Sequence, residues 1–533
     1  MTEVPPTLPA GSPRIDWAVF LPSLVVVLLA GGYLSLFPEQ AEASARAAMH
    51  FVTSRFGWLF VLVGFCAFVF ALWLAFGRYG QVKLGKAGDT PEFREIPWAA
   101  MMFSAGIGIG LVSWAFVEPL YYLSAPPLGI AAHSSAAVEW GHMYGQFHWG
   151  FIPWALYAIP SVPVAYMLYV KERHALRISE ACESVLNTPA RQRLKPVIDT
   201  LVIIGLIGGA GTSLGLGVPL VSAFVGELFG IADNLLTRLG VLAFWTLLFG
   251  ASVYRGLHRG ISILSDINIG LAMAILLFIL FAGPTVFILS LSANSLGLML
   301  DNFTRMSFWL DPVDRGGFPE AWTLFYWAWW VSYAPMMGLF FGRISRGRTI
   351  RHLVLGVIGW GSLGCCSFLA ICGAFALDLQ LSGTLPAVDL LAEQGIPATV
   401  VDIVGQMPLG GLMIAVYTFL SFIFLATTLD SAAYVLASIS SHALRGDQEP
   451  ARRNRLTWAF ALAFIAVGLL IVGGLKTVQS LTIITALPLI PVLLLLCVAL
   501  LRWLKQDFGA AVQQPVLTLP AGDDQAQAER RES

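Results

Sequence analysis

The sequence predicts an all-α membrane protein with twelve transmembrane helices, and three observations support this. The chain of 533 residues is 57% hydrophobic and only 12% charged, a balance typical of integral membrane proteins. Its apolar residues fall in long runs, many near the roughly 20 residues that a helix needs to cross a bilayer. Its Lys and Arg residues gather in alternate loops, the pattern that sets membrane orientation. The net charge of −1 gives no indication of a nucleic-acid partner.

Twelve apolar segments have the composition of a membrane-spanning helix, and we predict one span from each. They cover residues 17–37, 56–77, 97–124, 144–170, 200–226, 239–254, 267–292, 321–342, 353–377, 403–430, 457–475 and 477–501. The sixth is short, and the tenth is expected to continue past Asp430. Residues 293–320, between spans seven and eight, mix apolar residues with Asn, Asp and Arg. This mixture predicts an amphipathic helix on the surface, followed by a loop with a Gly-Pro turn.

The basic residues predict which side of the membrane each loop occupies. Six lie in the loop between spans four and five and four in the loop after span eight, whereas the loops after spans three and nine have none. Basic loops remain in the cytoplasm, so we expect a multi-pass protein of the cytoplasmic (inner) membrane with both termini inside. Residues 1–16 lack the basic region of a signal peptide, so the first span is expected to be retained. Residues 503–533 are polar and are expected to form a disordered cytoplasmic tail.

Span three carries three alternating glycines, Gly106, Gly108 and Gly110. Glycine within a span permits close helix packing, or it permits the helix to unwind so that freed carbonyls bind an ion or a substrate. The spacing argues against packing alone, because Gly108 points away from the side that Gly106 and Gly110 share. We therefore predict a broken helix here.

Span eight contains a dense aromatic cluster inside a stretch without charge. Within residues 321–342 it has Trp322, Tyr326, Trp327, Trp329, Trp330 and Tyr333. Aromatic faces attract cations, above all quaternary ammonium groups, so the cluster is a candidate cage for a methylated cation. Trp and Tyr also gather at membrane interfaces, which leaves packing or lipid contact as the alternative.

A second cluster in span four strengthens the interpretation as a cage. Trp149, Trp154 and Tyr157 flank Pro153, and a bend at this proline would bring the three rings together. Span eight contains a helix breaker of its own, Pro335, five spans after the glycine-rich span three. Interrupted helices at corresponding positions are the sequence indication of an inverted transporter repeat. The two repeats would be residues 97–292 and 321–502, with residues 17–96 as two additional N-terminal helices.

Two motifs resemble those of the betaine/carnitine/choline transporter family. Residues 322–330, followed by the basic stretch 343–348, resemble the family signature, and residues 106–110 resemble its glycine motif. The resemblance extends from span one to span twelve. It implies a sodium-symporter-type fold with an inverted five-plus-five repeat, usually a homotrimer in the lipid bilayer, that imports trimethylammonium or related compounds.

The resemblance also assigns the binding residues by position. Its aromatic cage falls on Trp149, Trp154, Tyr157 and the pair Trp329/Trp330, and Met337 matches a methionine of the carnitine exchanger type. The residues that we predict to bind substrate are Trp149, Trp154, Tyr157, Trp329, Trp330, Tyr333, Met337, Gly106, Gly108 and Gly110.

Sodium is the expected coupling ion. Two adjacent hydroxyl residues of span ten, Thr427 and Thr428, match those that meet carbonyls of the broken span in sodium-coupled members, and hard cations favour oxygen ligands. The predicted sodium ligands are Ala105, Ile107, Phe424, Thr427 and Thr428. The alternative is that both hydroxyls bond back to their own helix. Ser262 stands where exchangers and proton-coupled members carry arginine, which favours an ion, whereas Met337 favours an exchanger.

Gly110 occupies the position at which choline-type members tend to place an acid, and this favours a zwitterion such as glycine betaine, carnitine or dimethylsulfoniopropionate. Glu118 is expected nearer the outer surface. The leading hypothesis is a sodium-coupled importer of a zwitterionic onium compound. A sodium-independent exchanger, a proton-coupled choline importer and a sensor without transport remain alternatives. We expect no enzyme activity and no cofactor, because paired acids, metal-ligand spacings and a nucleophile–base pair are all missing from the spans.

Overall fold

The computed structural model describes residues 14–86, 88–106, 108–173, 175–255, 258–442, 444 and 448–509, with the side chains of residue 249 and residues 252–265 excepted. Within these ranges the regular structure is helical. The extended pairing that occurs there consists of two isolated antiparallel bridges, Ile15 with Ser441 and Lys83 with Thr349. The prediction of an all-α protein holds for the described residues.

The first part of the chain forms twelve helices. They are α1 (Trp17–Leu36), α2 (Pro38–Phe76), α3 (Glu95–Ala105), α4 (Ile109–Ser124), α5 (Ser135–Trp149), α6 (Phe151–Tyr169), α7 (Ile178–Ala181), α8 (Pro189–Gln192), α9 (Lys195–Phe229), α10 (Leu235–Arg255), α11 (His258–Ala282) and α12 (Thr285–Phe308). The second part begins with a π-helical turn and continues with eight helices. They are the turn Pro319–Thr323, then α13 (Leu324–Arg343), α14 (Ile350–Leu381), α15 (Ala387–Gln394), α16 (Ile396–Gly405), α17 (Gly410–Ile439), α18 (Arg452–Val472), α19 (Leu475–Ala486) and α20 (Leu489–Phe508).

Length and composition identify nine helical segments of the described residues as candidate membrane spans, or up to ten if the bent pair α3 and α4 is counted as one. Helices α10 and α11 contribute shorter apolar stretches, and α13 is not among the nine. Helix α13 is rich in Trp and Tyr, which carry polar atoms and score low on hydropathy although their rings are buried. The protein is therefore a helical, multi-pass membrane protein, with fewer spans counted than the twelve predicted.

Three helix boundaries differ from those expected. Helix α2 begins at Pro38, well before residue 56. Its first turns are polar, so the apolar run from which the span was predicted begins later than the helix. Helix α12 begins at Thr285, inside the stretch assigned to span seven, and it is apolar enough to count as a candidate span. Helix α20 continues to Phe508, so the beginning of the expected disordered tail is helical. Trp503 is buried there and stacks on Tyr166 with ring centroids 6.0 Å apart. Residues 510–533 lie outside the described residues.

The N-terminal segment marks one side of the bundle, which we call the N-terminal side. The backbone N–H of Asp16 donates to the carbonyl of Ser440, just after α17, at 2.9 Å. Arg177, in the loop after α6, donates to the carboxylates of Asp16 and Asp199 at 2.8 Å each. The start of α1, the end of α17 and the start of α9 therefore meet on this side.

Helix α13 lies at the centre of the bundle, packed closely against α6. A Cβ atom on Gly338 would lie 2.5 Å from Pro160 Cβ, and one on Gly342 would lie 2.7 Å from a methyl carbon of Val164. Small residues at such crossings allow two membrane helices to approach each other. This contact holds the aromatic residues of spans four and eight side by side.

Candidate functional site

Span three is broken at the glycine motif, as predicted. Helix α3 ends at Ala105 and α4 begins at Ile109, and their axes differ by 60°. Gly108, the N-cap of α4, is extended with φ −145° and ψ −176°. The break leaves the last carbonyls of α3 and the first N–H groups of α4 without helical partners. Ile107, a predicted sodium ligand, lies outside the described residues.

The three glycines have different surroundings. A Cβ atom on Gly106 would lie 2.4 Å from Trp154 Cζ2, and one on Gly110 would lie 2.9 Å from Trp329 Cη2. A Cβ atom on Gly108 would meet nothing within 4 Å. Gly106 and Gly110 therefore allow aromatic rings to touch the backbone, whereas Gly108 faces open space.

The interruption of span four is at Gly150 and not at Pro153. Helix α5 ends at Trp149, and α6 begins at Phe151 after Gly150 adopts φ −93° and ψ −133°. Pro153 lies in the first turn of α6, where its missing N–H removes no helical hydrogen bond. The expected bend at this proline is therefore wrong, and the regular helical geometry is interrupted instead at Gly150, next to Trp149.

Span eight is not interrupted at Pro335. Helix α13 runs through this proline from Leu324 to Arg343, and its irregular part is the π-helical turn at the start, Pro319–Thr323. The prediction that spans three and eight are broken at corresponding positions is therefore wrong for span eight. The inverted repeat rests on the family resemblance.

A cavity of about 630 Å³ lies at the break in span three. Six of the predicted substrate-binding side chains line it: Trp149, Tyr157, Trp329, Trp330, Tyr333 and Met337. The backbone around Gly106, Gly108 and Gly110 completes this wall. The lining also includes Leu176, Arg343 and Ser438, which places one end of the cavity on the N-terminal side.

A cluster of aromatic rings lies at the other end of span eight from Arg343, in the π-helical turn and α4, and it is not part of the cavity lining. The ring of Trp322 lies 5.8 Å from that of Trp114, 5.2 Å from Tyr121 and 5.0 Å from Tyr122, centroid to centroid. Three of these four rings are buried, and Tyr121 is partly buried. The cavity lining therefore reaches the exposed Arg343 on the N-terminal side and does not extend to this ring cluster around Trp322.

The aromatic rings at the cavity touch each other edge to face. Trp330 contacts Trp149 with centroids 5.5 Å apart and ring planes at 82°. It also contacts Tyr157 at 4.8 Å and 56°. Rings set at large angles form the walls of a corner, and a cation seated there can lie within about 6 Å of several centroids.

Trp154 does not line the cavity. Its ring is fully buried behind Trp330, at 5.8 Å between centroids, and occupies the space beside Gly106 and Gly361. Its indole N–H donates to the carbonyl of Trp149 at 3.2 Å. The structure therefore places Trp154 as a support for the other rings, in contrast with its predicted place in the cage.

Four of the predicted sodium ligands lie on the cavity wall: Ala105, Phe424, Thr427 and Thr428. Both hydroxyls donate to the carbonyl of Phe424, at 3.0 Å from Thr427 and 2.8 Å from Thr428. These bonds use the hydroxyl hydrogens and leave oxygen lone pairs available. The side chain of Ser262, the position used to judge ion coupling, lies outside the described residues.

Two indole N–H groups at the cavity, those of Trp149 and Trp330, are held by buried acceptors. Trp330 Nε1 donates to the carbonyl of His148 at 3.1 Å, near the C-terminus of α5, where carbonyls lack helical partners. Trp149 Nε1 donates to Glu118 Oε2 at 3.0 Å. Glu118 is completely buried within the bundle. Its expected position near the outer surface of the membrane stays a prediction.

Sequence analysis gave no role to two acidic residues of this region. Glu118 contacts the cage directly through Trp149, and Asp430 lines the cavity and pairs with Arg455 at 2.9 Å. Both lie within predicted spans, where an ionisable residue by itself indicates function. This rule is the signal by which the sequence alone could have identified both residues.

One solved structure and one protein family are similar to this chain. A sodium-coupled sialic acid symporter, solved in a substrate-bound outward-open state, is a similar structure with 16% sequence identity and a TM-score of 0.39. The match covers 86% of this chain and 79% of that chain, but so low a score does not establish a shared fold. The family described as betaine/carnitine/choline family transporter matches residues 18–509, nearly the whole chain. The protein is therefore a transporter and not an enzyme, and it belongs to the betaine/carnitine/choline transporter family.

Proposed function

We propose that this transporter imports a zwitterionic onium compound, such as glycine betaine, carnitine or dimethylsulfoniopropionate, and that sodium is its coupling ion. The observation that carries the proposal is the meeting of Trp149, Tyr157 and Trp330 at one cavity beside a broken helix. Desolvated aromatic faces bind methylated cations without needing hydrogen bonds.

The broken helix suits the other end of a zwitterion. The first N–H groups of α4, at Ile109 and Gly110, point into the break, and the N-terminus of a helix carries partial positive charge. A carboxylate of the ligand would accept hydrogen bonds there while its ammonium group meets the rings. Choline has no carboxylate and would leave these donors unused.

The sodium site is proposed from the same wall of the cavity. Thr427 and Thr428 on α17 offer hydroxyl oxygens, and the last turn of α3, which ends at Ala105, offers carbonyls without helical partners. This all-oxygen set fits a hard cation. Because α3 is one half of the broken helix, an ion bridging it to α17 would stabilise one conformation of the break.

We propose import as the direction of transport from the family resemblance, and the predicted orientation assigns the two ends of the site to the two sides of the membrane. With the N-terminus in the cytoplasm, as the basic loops predict, the cavity lining reaches toward the cytoplasm and the ring cluster around Trp322 faces outward. This arrangement corresponds to an inward-facing state of an alternating-access cycle in the inner membrane. We propose the inverted five-plus-five repeat and the homotrimer from the family resemblance.

One observation favours a second candidate, a sodium-independent exchanger. Met337 lines the cavity, as its match to the carnitine exchanger type requires. An exchanger would need no sodium gradient, and an onium compound inside the vesicle would accelerate uptake.

Uptake into proteoliposomes tests both candidates. Labelled glycine betaine, carnitine, dimethylsulfoniopropionate and choline are offered with an inward sodium gradient, with equal sodium on both sides, and with potassium alone. We expect uptake of a zwitterion that depends on the inward gradient. Equal uptake in sodium and potassium would replace the symporter with the exchanger, and uptake of none of the four would refute the proposed substrate class.

A further inference from the structure

The buried carboxylate of Glu118 is the centre of a polar cluster behind the cage. Its Oε1 accepts from Tyr122 Oη at 2.6 Å and lies 3.2 Å from His148 Nδ1. Its Oε2 accepts from Trp149 Nε1 at 3.0 Å and from Tyr326 Oη at 2.9 Å. Side chains from α4, α5 and α13 therefore converge on one fully buried group.

The hydrogen-bond partners of this carboxyl group suit its ionised form. Trp149 Nε1 can only donate, and Thr323 Oγ1 lies 3.0 Å from His148 Nε2, which accepts when the ring hydrogen is on Nδ1. In that tautomer the imidazole is neutral, and Nδ1 can donate to Tyr122 Oη at 2.9 Å or to Glu118 Oε1 at 3.2 Å. When Nδ1 donates to Glu118, each carboxylate oxygen accepts two hydrogen bonds, which fills the four lone-pair sites of an anion.

The same cluster orients two rings of the cage. Trp149 is bound through its indole N–H to Glu118, and Trp330 is bound through its indole N–H to the carbonyl of His148. A neutral acceptor would orient an indole equally well. A buried charge in a membrane costs much more than a neutral acceptor, so orientation alone does not account for a carboxylate.

We propose that Glu118 is a positioning residue that also supplies negative charge to the cage, so that Trp149 presents a more strongly attractive face to a cation. This inference rests on the proposed function, the binding of an onium compound. A carboxylate that accepts the indole N–H pushes electron density toward the ring. The charge of the carboxylate, which lies on the other side of Trp149 from the cavity, also attracts the ammonium group directly, because dielectric screening is weak in the buried interior.

The position of the charge has a consequence for selectivity. Gly110 offers no side chain, so an acid is missing from the break itself, but Glu118 provides one on the far side of the Trp149 ring. A zwitterion would then lie with its ammonium toward Glu118 and its carboxylate toward the N-terminus of α4. A ligand with the same shape but an uncharged head would lose the first interaction and keep the second.

Two variants and two ligands test the proposal in the full-length protein in detergent. Glu118→Gln keeps the shape and one acceptor but removes the charge. Tyr326→Phe removes one hydrogen bond from the same oxygen and leaves the charge. The ligands are glycine betaine, or whichever of the four onium compounds binds best, and an isostere in which carbon replaces the onium atom, such as the tert-butylacetate anion for betaine. Affinities are measured by equilibrium binding, and folding is checked by gel filtration and thermal unfolding.

We expect Glu118→Gln to weaken onium binding roughly tenfold, which corresponds to about 1.4 kcal/mol. We expect it to leave binding of the isostere unchanged or improved, and Tyr326→Phe to retain the wild-type ratio of the two affinities. Equal loss of both ligands in Glu118→Gln would show that the residue only orients Trp149 and would overturn the proposal. If that variant does not fold, a Tyr326→Phe variant that loses onium binding selectively would overturn it, and one that keeps the wild-type ratio would support it.

Onium binding by the wild-type protein distinguishes a failure of this inference from a failure of the proposed function. Failure of every onium compound to bind wild type would refute both. Normal onium binding by wild type, together with full onium affinity in a folded Glu118→Gln variant, would refute the role of Glu118 alone.

Discussion

Replacement of Trp330 by alanine should abolish most of the affinity for an onium substrate. Trp330 contacts Trp149 at 5.5 Å, Trp154 at 5.8 Å and Tyr157 at 4.8 Å, so it is the ring that joins the others. Loss of one desolvated cation–π face costs on the order of 2 kcal/mol, or roughly 30-fold in affinity. Trp330→Phe keeps a ring but loses the bond to the His148 carbonyl, so its loss should be smaller.

The substitution also affects the fold, and the assay must separate the two effects. Removing a buried tryptophan typically costs about 3–5 kcal/mol of stability, part of which comes from the lost aromatic pairs. Binding is therefore measured below the unfolding temperature of each variant. Trp360→Ala is the matched control, because Trp360 lies on α14, is 40% exposed and does not line the cavity.

Binding by isothermal calorimetry and uptake into proteoliposomes should agree. We expect Trp330→Ala to lose affinity by at least tenfold, Trp330→Phe by less, and Trp360→Ala by almost nothing. A folded Trp330→Ala variant with wild-type affinity would refute the assignment of the cage.

Three further predictions follow from other contacts. Thr428→Ala should raise the sodium concentration needed for half-maximal uptake several-fold. Thr457→Ala, which removes a similar back-bonded hydroxyl from α18, should not. Equal effects of the two substitutions would refute the proposed sodium site. Gly110→Asp should shift competition toward choline, because a carboxylate beside the ammonium attracts a net cation and repels a zwitterion's own carboxylate; an unchanged ranking in competition assays would contradict this. Gly338→Ala should lower the thermal unfolding temperature, because the added Cβ would lie 2.5 Å from Pro160 Cβ; unchanged stability would show that α6 and α13 can separate freely.

The glycine motif and the aromatic clusters could be read from the sequence because their local composition has few physical explanations. Alternating glycines in a span do not form a single packing face, and the helix is indeed broken between Ala105 and Ile109. Six of the seven side chains predicted to bind substrate line the same cavity. Trp154 is the exception: Tyr157 on the same helix lines the cavity, whereas the Trp154 ring packs against Trp330 and fills the space beside Gly106 and Gly361.

The proline arguments failed for a positional reason. Pro153 and Pro335 have the same chemistry, but the first lies in an opening turn where no N–H is needed, and the second lies inside a helix that remains continuous. Neighbouring helices and side chains can satisfy the carbonyl that a proline leaves free in a membrane. Which outcome occurs depends on tertiary contacts that sequence spacing does not contain. Breaks at Gly150 and at the turn Pro319–Thr323 therefore appeared only in the structure.

Glu118 shows how much the partners of a residue determine its role. An acid before a proline, two turns beyond a helix break, reads as a group near the membrane surface. In the structure its four partners come from three helices, and only Tyr122 is near it in sequence. Hydrogen bonds from these partners offset the cost of burying a carboxylate, and the cage tryptophan is one of the donors. The affinity of the site for a cation therefore depends on a charge behind the aromatic wall as well as on the rings that face the cavity.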